Sequence, residues 1–346
     1  MKPSYLTTES DLRAMIDRWL ADREVIGARK TVWDDILLEP LESGADCEFD
    51  FELQVASPKE WLLPQTETLF TYDLEAGPTI QEPPEAAEQI LFAIRSCDMS
   101  AIRILDQAMA ADPPDYYYLR RRRNTTCIVL ACERVFAGHF CHLLKTGPSL
   151  GSGFDWQLTR LGDQFALEVG SERGQQLAES VKDLLRPAGA RDEAALEECH
   201  DQARRSGGAF ADLVKARAAL ASPDLDSAVW TELAQRCQAC GGCSFMCPSC
   251  ACFSLQDVRT ENDSGRHLRQ WDSCAFSGFT RMAGGHNPSG QKLARVHRRL
   301  YHKWVCTTAG RNDPSCVGCG RCVEVCARNS KLRDVLTAIS PQSAKP

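Results

Sequence analysis

Cys237-Gln-Ala-Cys240-Gly-Gly-Cys243-Ser-Phe-Met-Cys247-Pro248 is the stretch from which the chain is read, and Cys316-Val-Gly-Cys319-Gly-Arg-Cys322-Val-Glu-Val-Cys326 repeats it. Each is a C-x2-C-x2-C-x3-C run. A [4Fe-4S] cube needs soft, deprotonated sulfur ligands on a backbone that curls tightly, and in two-cluster ferredoxins the fourth Cys of each run binds the other cube. The runs therefore predict two [4Fe-4S] clusters, one on Cys237, Cys240, Cys243 and Cys326, the other on Cys316, Cys319, Cys322 and Cys247. A zinc ribbon fits less well, because it uses two separated C-x2-C knuckles. Disulfides fit less well too, since nothing in the chain marks an oxidising compartment. Pro248 follows the first run as this spacing commonly shows, whereas Ala327 follows the second.

A long segment separates Cys247 from Cys316 and holds a helical stretch at residues 291–304, which points to a helical dicluster module. Between the runs lie Cys250, Cys252 and Cys274, which either tune the clusters through packing and hydrogen bonds to sulfur or replace an assigned ligand. The stretch 291–304 is basic, with Lys292, Arg295, Arg298, Arg299 and Lys303. It reads either as a docking face for an acidic partner or as ordinary charged surface. His267, His286 and His302 read as packing or surface residues before proton carriers.

Upstream, residues 8–21 read as an amphipathic helix opened by a Thr8/Asp11 capping box. Cys47, Phe49, Phe51, Leu53 and Val55 alternate with polar residues, the pattern of a half-buried strand with Cys47 as a core thiol. A Pro-rich connection at 78–84 leads to Ile90-Leu-Phe-Ala-Ile94, an apolar run suited to a strand buried on both faces. A helix follows, with Ser96 or Asp98 as its cap, and then a second apolar run, Cys127-Ile-Val-Leu-Ala131. Strand, helix, strand over this length is a βαβ crossover with parallel strands. Cys97 and Cys132 then stand just past two strand ends, at the edge where open α/β sheets place ligands, and His139 and Cys141 follow closely enough to join them. Cys97, Cys132 and Cys141 thus form a candidate third site, for a metal, another redox group or a flavin. The competing reading is three ordinary buried thiols. Arg120 to Arg123 read as a solvated face, with anion binding or subunit docking as the sharper alternative. Residues 154–158 and 165–169 read as a hairpin around Gly162-Asp163.

The chain has 346 residues, enough for two domains, and a net charge of −7, which gives no reason to expect nucleic-acid binding. Its 18 Cys are the anomaly. No apolar run approaches the length that spans a bilayer, and no signal peptide opens the chain, so the expectation is a cytoplasmic protein without direct membrane insertion. The expected organisation is an α+β or α/β domain over 1–175, a helical linker over 176–230, and an α-helical ferredoxin-type dicluster domain over 231–346.

Phe92-Ala-Ile-Arg-Ser-Cys97-Asp98, Cys247-Pro-Ser-Cys250-Ala-Cys252-Phe253, Trp271-Asp-Ser-Cys274, Ala283-Gly-Gly-His-Asn287 and the second Cys run stand in one order along the chain. In this the sequence resembles the β subunit of soluble nickel-iron sulfhydrogenases and the A subunit of anaerobic sulfite reductase, over most of the chain from about Glu85 onward. The resemblance implies an iron-sulfur electron-transfer subunit with two [4Fe-4S] clusters. It would stand between an FAD/NAD(P)-binding subunit and a catalytic subunit carrying a nickel-iron site or a sirohaem. On that reading the chain is not a catalyst by itself, and no catalytic residue is assigned. The rival reading is an enzyme that binds its own flavin in the N-terminal domain and reduces a small substrate, although no G-x-G-x-x-G follows a strand. A third reading gives the clusters a structural or sensing role only.

Overall fold

The computed structural model describes residues 4–74, 79–222, 227–260, 263–306, 313–328 and 332–339. Pro78 of the Pro-rich connection and residues 223–226 of the expected helical linker lie outside them. Twelve strands among the described residues make two sheets. The larger contains β1 (Tyr5–Thr8), β2 (Glu24–Lys30), β3 (Ile36–Pro40), β6 (Gln89–Arg95), β7 (Thr125–Leu130), β8 (Trp156–Leu161), β9 (Gln164–Val169) and β10 (Arg186–Pro187), in the order β10-β1-β9-β8-β7-β6-β2-β3. Strands β2, β6, β7 and β8 pair in parallel, and the outer pairs are antiparallel.

Helices α1 (Glu9–Trp19), α2 (Ser96–Met109), α3 (Tyr116–Arg123) and α4 (Glu172–Ser180) cover this sheet. Thr8 and Asp11 close the expected capping box of α1. Ile90, Phe92, Ile128 and Leu130 pack with Leu12, Ile16, Trp19 and Leu177 on one face. Leu91, Cys127 and Val129 pack with Met99, Ile102, Leu105 and Tyr118 on the other. Burial on both faces is why these strands read as unbroken apolar runs. Helices α5 (Ala190–Arg205), α6 (Leu213–Ala221) and α7 (Ser227–Arg236) follow. α5 rests on β8, with Thr159 Oγ1 2.9 Å from His200 Nε2.

The Cys-rich part contains α8 (Gly242–Phe245), α9 (Lys292–Trp304), α10 (Arg321–Glu324) and α11 (Leu332–Ile339). It is not all-helical as expected. Between the two Cys runs stands a hairpin of β11 (Phe253–Arg259) and β12 (Ser264–Trp271), and β12 pairs antiparallel with β4 (Thr66–Asp73), which pairs with β5 (Thr79–Gln81). The second sheet therefore joins the N-terminal and Cys-rich parts. A buried ion pair fixes the join: Arg269 donates to Glu67 at 2.5 and 3.0 Å, and Arg121 and Asp115 complete the network.

Two further expectations are corrected. Residues 47–55 form no strand: Cys47 and Phe49 point into the core, but the carbonyls of Phe51 and Glu52 accept from the Arg95 side chain. Arg120 to Arg123 are not simply a solvated face, since Arg120 is buried, Arg121 pairs with Glu67 and Arg122 with Asp106 at 3.1 Å.

Candidate functional site

The two Cys runs fold alike, position for position. Two residues past each leading Cys the backbone turns left-handed, at Ala239 (φ 55°) and Gly318 (φ 65°). It does so again at Gly241 (φ 78°) and Gly320 (φ 77°), which cap the four-residue helices α8 and α10. The first left-handed residue turns its N–H back on the leading sulfur: Ala239 donates to Cys237 Sγ at 3.3 Å and Gly318 to Cys316 Sγ at 3.5 Å. Such donors favour the thiolate form that a metal binds. Ala239 holds this turn without being Gly, a conformation that costs an L-residue about 1–2 kcal/mol. Strain kept at one matched position of a repeated loop marks a functional geometry.

Helix α8 packs against α10. Beside them lies a cavity of about 690 Å³ with Cys243, Cys247, Cys316, Cys319 and Cys322 in its wall, together with Cys250, Cys252, Cys274 and Cys306. Cys237, Cys240 and Cys326 stand outside that wall, Cys240 exposed and the other two half-buried. Burial pushes Cys322 up to about 12 and raises Cys316 and Cys319, and Cys247 is near enough to add its charge in all three cases. The structure thus brings Cys247 to the three leading thiols of the second run. Among the described residues no three His, Cys, Asp or Glu side chains converge on a point where one ion would sit. The thiols face an open space, and soft donors with backbone N–H support fit a cluster there.

Cys250 donates to Cys247, which holds Cys247 well below the usual thiol range, and the nearby Lys303 ammonium acts in the same direction. Cys252 donates to Cys274 and brings it down to about 6. Lys303 Nζ lies 2.6 Å from Ser249 Oγ and 3.6 Å from Cys250 Sγ. Burial works against charge on Lys303 and Arg299, but the thiolates around them outweigh it and raise both. Helix α9 therefore turns Arg299 and Lys303 inward, and Arg295 as well, which donates to the Ala275 carbonyl at 2.9 Å. The basic stretch is thus not plain charged surface along its length: Arg295, Arg299 and Lys303 turn inward, and Lys292 and Arg298 are exposed. Replacing Lys303 by Met removes a positive charge beside the second run. At roughly 8 Å and an effective dielectric of about 20 that is worth about 2 kcal/mol, so the midpoint potential of the adjacent centre falls by about 90 mV. An EPR-monitored redox titration checks it, and an unchanged potential would remove Lys303 from the site.

Two residues that no sequence pattern singled out tie the site to the N-terminal part. Lys59 Nζ donates to the carbonyls of Cys250 (3.0 Å), Phe245 (3.2 Å) and Ser244 (3.4 Å) and lies 3.9 Å from the Trp271 ring centre, and burial lowers its pKa. Arg321, inside the second run, grips Asp98 with two bonds of 2.5 and 3.0 Å and donates to the Gln54 carbonyl at 3.0 Å. Asp98 is thus an ion-pair partner and not a helix cap, and Ser96 also does other work, donating to the Pro148 carbonyl at 2.7 Å.

The N-terminal thiols come together as the βαβ reading requires. Cys97 lies in the first turn of α2, Cys132 just past β7, and Cys141 in the loop beyond. Cys97, Cys132, Cys141 and His139 line one small pocket. The second Cys run seals it: Phe140 N–H donates to the Gly318 carbonyl at 2.9 Å, Thr146 Oγ1 to the Val317 carbonyl at 2.8 Å, and Cys319 is buried with Cys97 and Cys141. Of the remaining His, His267 pairs with Asp257 at 2.7 Å on the hairpin, and His286 and His302 are exposed.

Residues 236–330 match the 4Fe-4S dicluster domain family. The chain is 29% identical over 292 residues to sulfhydrogenase 2 subunit beta of Pyrococcus furiosus, a match that covers 83% of this chain and 84% of that protein. No helix among the described residues is long and apolar enough to cross a membrane. Two Cys runs of one backbone geometry, a dicluster domain and a likeness along most of both chains make this chain similar to a hydrogenase beta-type iron-sulfur subunit.

Proposed function

We propose that the chain is the electron relay of a multisubunit cytoplasmic oxidoreductase, with one [4Fe-4S] cluster on Cys237, Cys240, Cys243 and Cys326 and a second on Cys316, Cys319, Cys322 and Cys247. The observation that carries this is the repeated loop, in which both leading sulfurs accept an N–H from the left-handed residue two positions on. When bound, such clusters take up and release single electrons, at potentials set by charge, burial and hydrogen bonds to sulfur. The residues around them supply those settings: Ala239 and Gly318 donate to sulfur, while Arg299 and Lys303 place positive charge against the thiolates. The partners are an FAD/NAD(P)-binding subunit and a catalytic subunit with a nickel-iron site or a sirohaem.

Mild anaerobic purification from the native host tests this, with iron, nickel, sirohaem and flavin analysis of what copurifies. A flavoprotein and a nickel-iron or sirohaem subunit are the expected companions. A chain isolated alone, with its own flavin and turnover, would overturn the relay.

A further inference from the structure

Helix α6 is apolar on two faces. Ala216 and Leu220 pack inward with Trp304 and Cys316. Val214, Arg217, Ala218 and Ala221 stand at the i, i+3, i+4, i+7 spacing of a single helical stripe, and that stripe lines a groove of about 860 Å³. Val214 is 80% exposed, although a surface helix ordinarily turns such a side chain inward. Across from the stripe stand Arg103 of α2 and the loop that carries Leu143 and Lys145, and Trp304 and Cys316 form the floor. Thr146, next to Lys145, ties this loop to the second Cys run by donating to the Val317 carbonyl at 2.8 Å. The groove thus reaches from exposed Leu143 and Val214 down to a thiol that the relay reading makes a cluster ligand.

Its charge runs against that of the chain. The net charge is −7, yet Arg103, Lys145 and Arg217 face the groove, and Asp313 is the one acidic residue among the described lining residues. Arg103 and Lys145 are exposed, and neither pairs with a carboxylate among the described residues; Arg103 donates to the Ser152 carbonyl at 3.4 Å. A dinucleotide fits such a place less well. Its phosphates call for a glycine-rich turn or an open helix N-terminus. The described lining holds no glycine, and the start of α6 is capped by the Asp212 carboxylate, which accepts from the Lys215 N–H at 3.1 Å. Exposed cations round an exposed apolar stripe instead match the small, quickly exchanging interfaces of electron-transfer proteins, where complementary charge governs encounter.

We propose that this groove docks a small acidic electron-carrier protein, which exchanges single electrons with the chain past Cys316. The proposal rests on the relay reading and adds to its two fixed subunits a carrier that comes and goes. Each exchange moves one electron between the second cluster and the carrier, with no bond made or broken in this chain.

An acidic flavodoxin serves as the probe, because its blue semiquinone is visible apart from iron-sulfur absorbance. The anaerobic, iron-loaded full chain is reduced with dithionite, freed of excess reductant and mixed with oxidised flavodoxin. The flavin then takes one electron from a reduced cluster and one proton from water to become the semiquinone. Binding of oxidised flavodoxin is measured separately by sedimentation. Both binding and transfer rate are expected to fall about tenfold between low and 0.2 M salt, and about tenfold at low salt in Arg103→Glu with Lys145→Glu. Iron content and reduction by dithionite should be unchanged in that variant. The same reversal at Lys182 and Arg191, exposed residues outside the groove, should leave binding and rate near those of the parent. Equal effects of the two reversals, no dependence on salt, or NAD(P)H binding lost in the groove variant would overturn the carrier site and leave the relay standing. Clusters that dithionite cannot reduce would overturn the relay reading itself.

Discussion

Asp98→Ala will destabilise the protein by about 3–5 kcal/mol, the penalty of leaving a buried charge without its partner. Asp98 is fully buried and Arg321 is 3% exposed, so water cannot take over when the carboxylate is removed. Two of the three guanidinium nitrogens of Arg321 bind Asp98, and the third donates to the Gln54 carbonyl. The damage will also be local, because Arg321 stands between Cys319 and Cys322. A guanidinium forced toward water drags the second run away from the sheet domain. Denaturant unfolding and iron content, measured on the same anaerobic samples, should fall together. The double variant Asp98→Leu with Arg321→Met should recover much of the stability, since an apolar pair of similar volume often replaces a buried ion pair at little cost. A single variant within about 1 kcal/mol of the parent would show that the pair does not hold the two parts together.

Where sequence patterns are local, the fold is legible. The βαβ unit declares itself because β6 and β7 are apolar on both faces, and from it the meeting of Cys97, Cys132 and Cys141 at one edge follows. The Cys runs are legible for the same reason, as all the information for each loop lies within a short stretch. What joins the two parts is not local. Glu67 and Arg269 are 202 positions apart, and neither stands in a pattern that announces its partner. The hairpin β11–β12 is hidden as well: Leu255 is exposed and Asp257 and His267 face each other in solvent, so its apolar alternation is weak. Residues 47–55 mislead in the opposite sense. Their alternation holds at Cys47 and Phe49, which are buried, and fails at Gln54, which is buried, and Val55, which is exposed, while the carbonyls of Phe51 and Glu52 go to Arg95 and not to a neighbouring strand. A period of two speaks at most to burial, and pairing is a separate matter settled by what else competes for the backbone. Lys59 shows the limit plainly, since a Lys after Pro reads as surface until Trp271 and three carbonyls close over it.

Glycine positions in the second run separate a backbone constraint from a side-chain one. Gly318→Ala puts an L-residue into a left-handed turn, at about 1–2 kcal/mol. It also sets a methyl 2.6 Å from the Cys141 nitrogen and 2.7 Å from the Phe140 carbonyl carbon, both main-chain atoms. Main chain yields little, so overpacking adds about 1–3 kcal/mol, for a total of about 2–5 kcal/mol. Gly320→Ala pays a similar conformational cost, but its methyl meets the His139 ring at 2.8 Å, and a half-buried side chain can swing aside. The ordering expected in thermal unfolding is therefore Gly318→Ala well below Gly320→Ala, with both below the parent. Their chemical signatures should differ too. Gly318→Ala pushes the second run off the Phe140–Gly318 hydrogen bond and should cost iron from the second cluster. Gly320→Ala displaces the His139 ring and should leave the iron content unchanged. Equal losses of stability, with the same spectroscopic change in both variants, would mean that Gly318 and Gly320 meet one common constraint and that the Cys141 backbone is not what Gly318 accommodates.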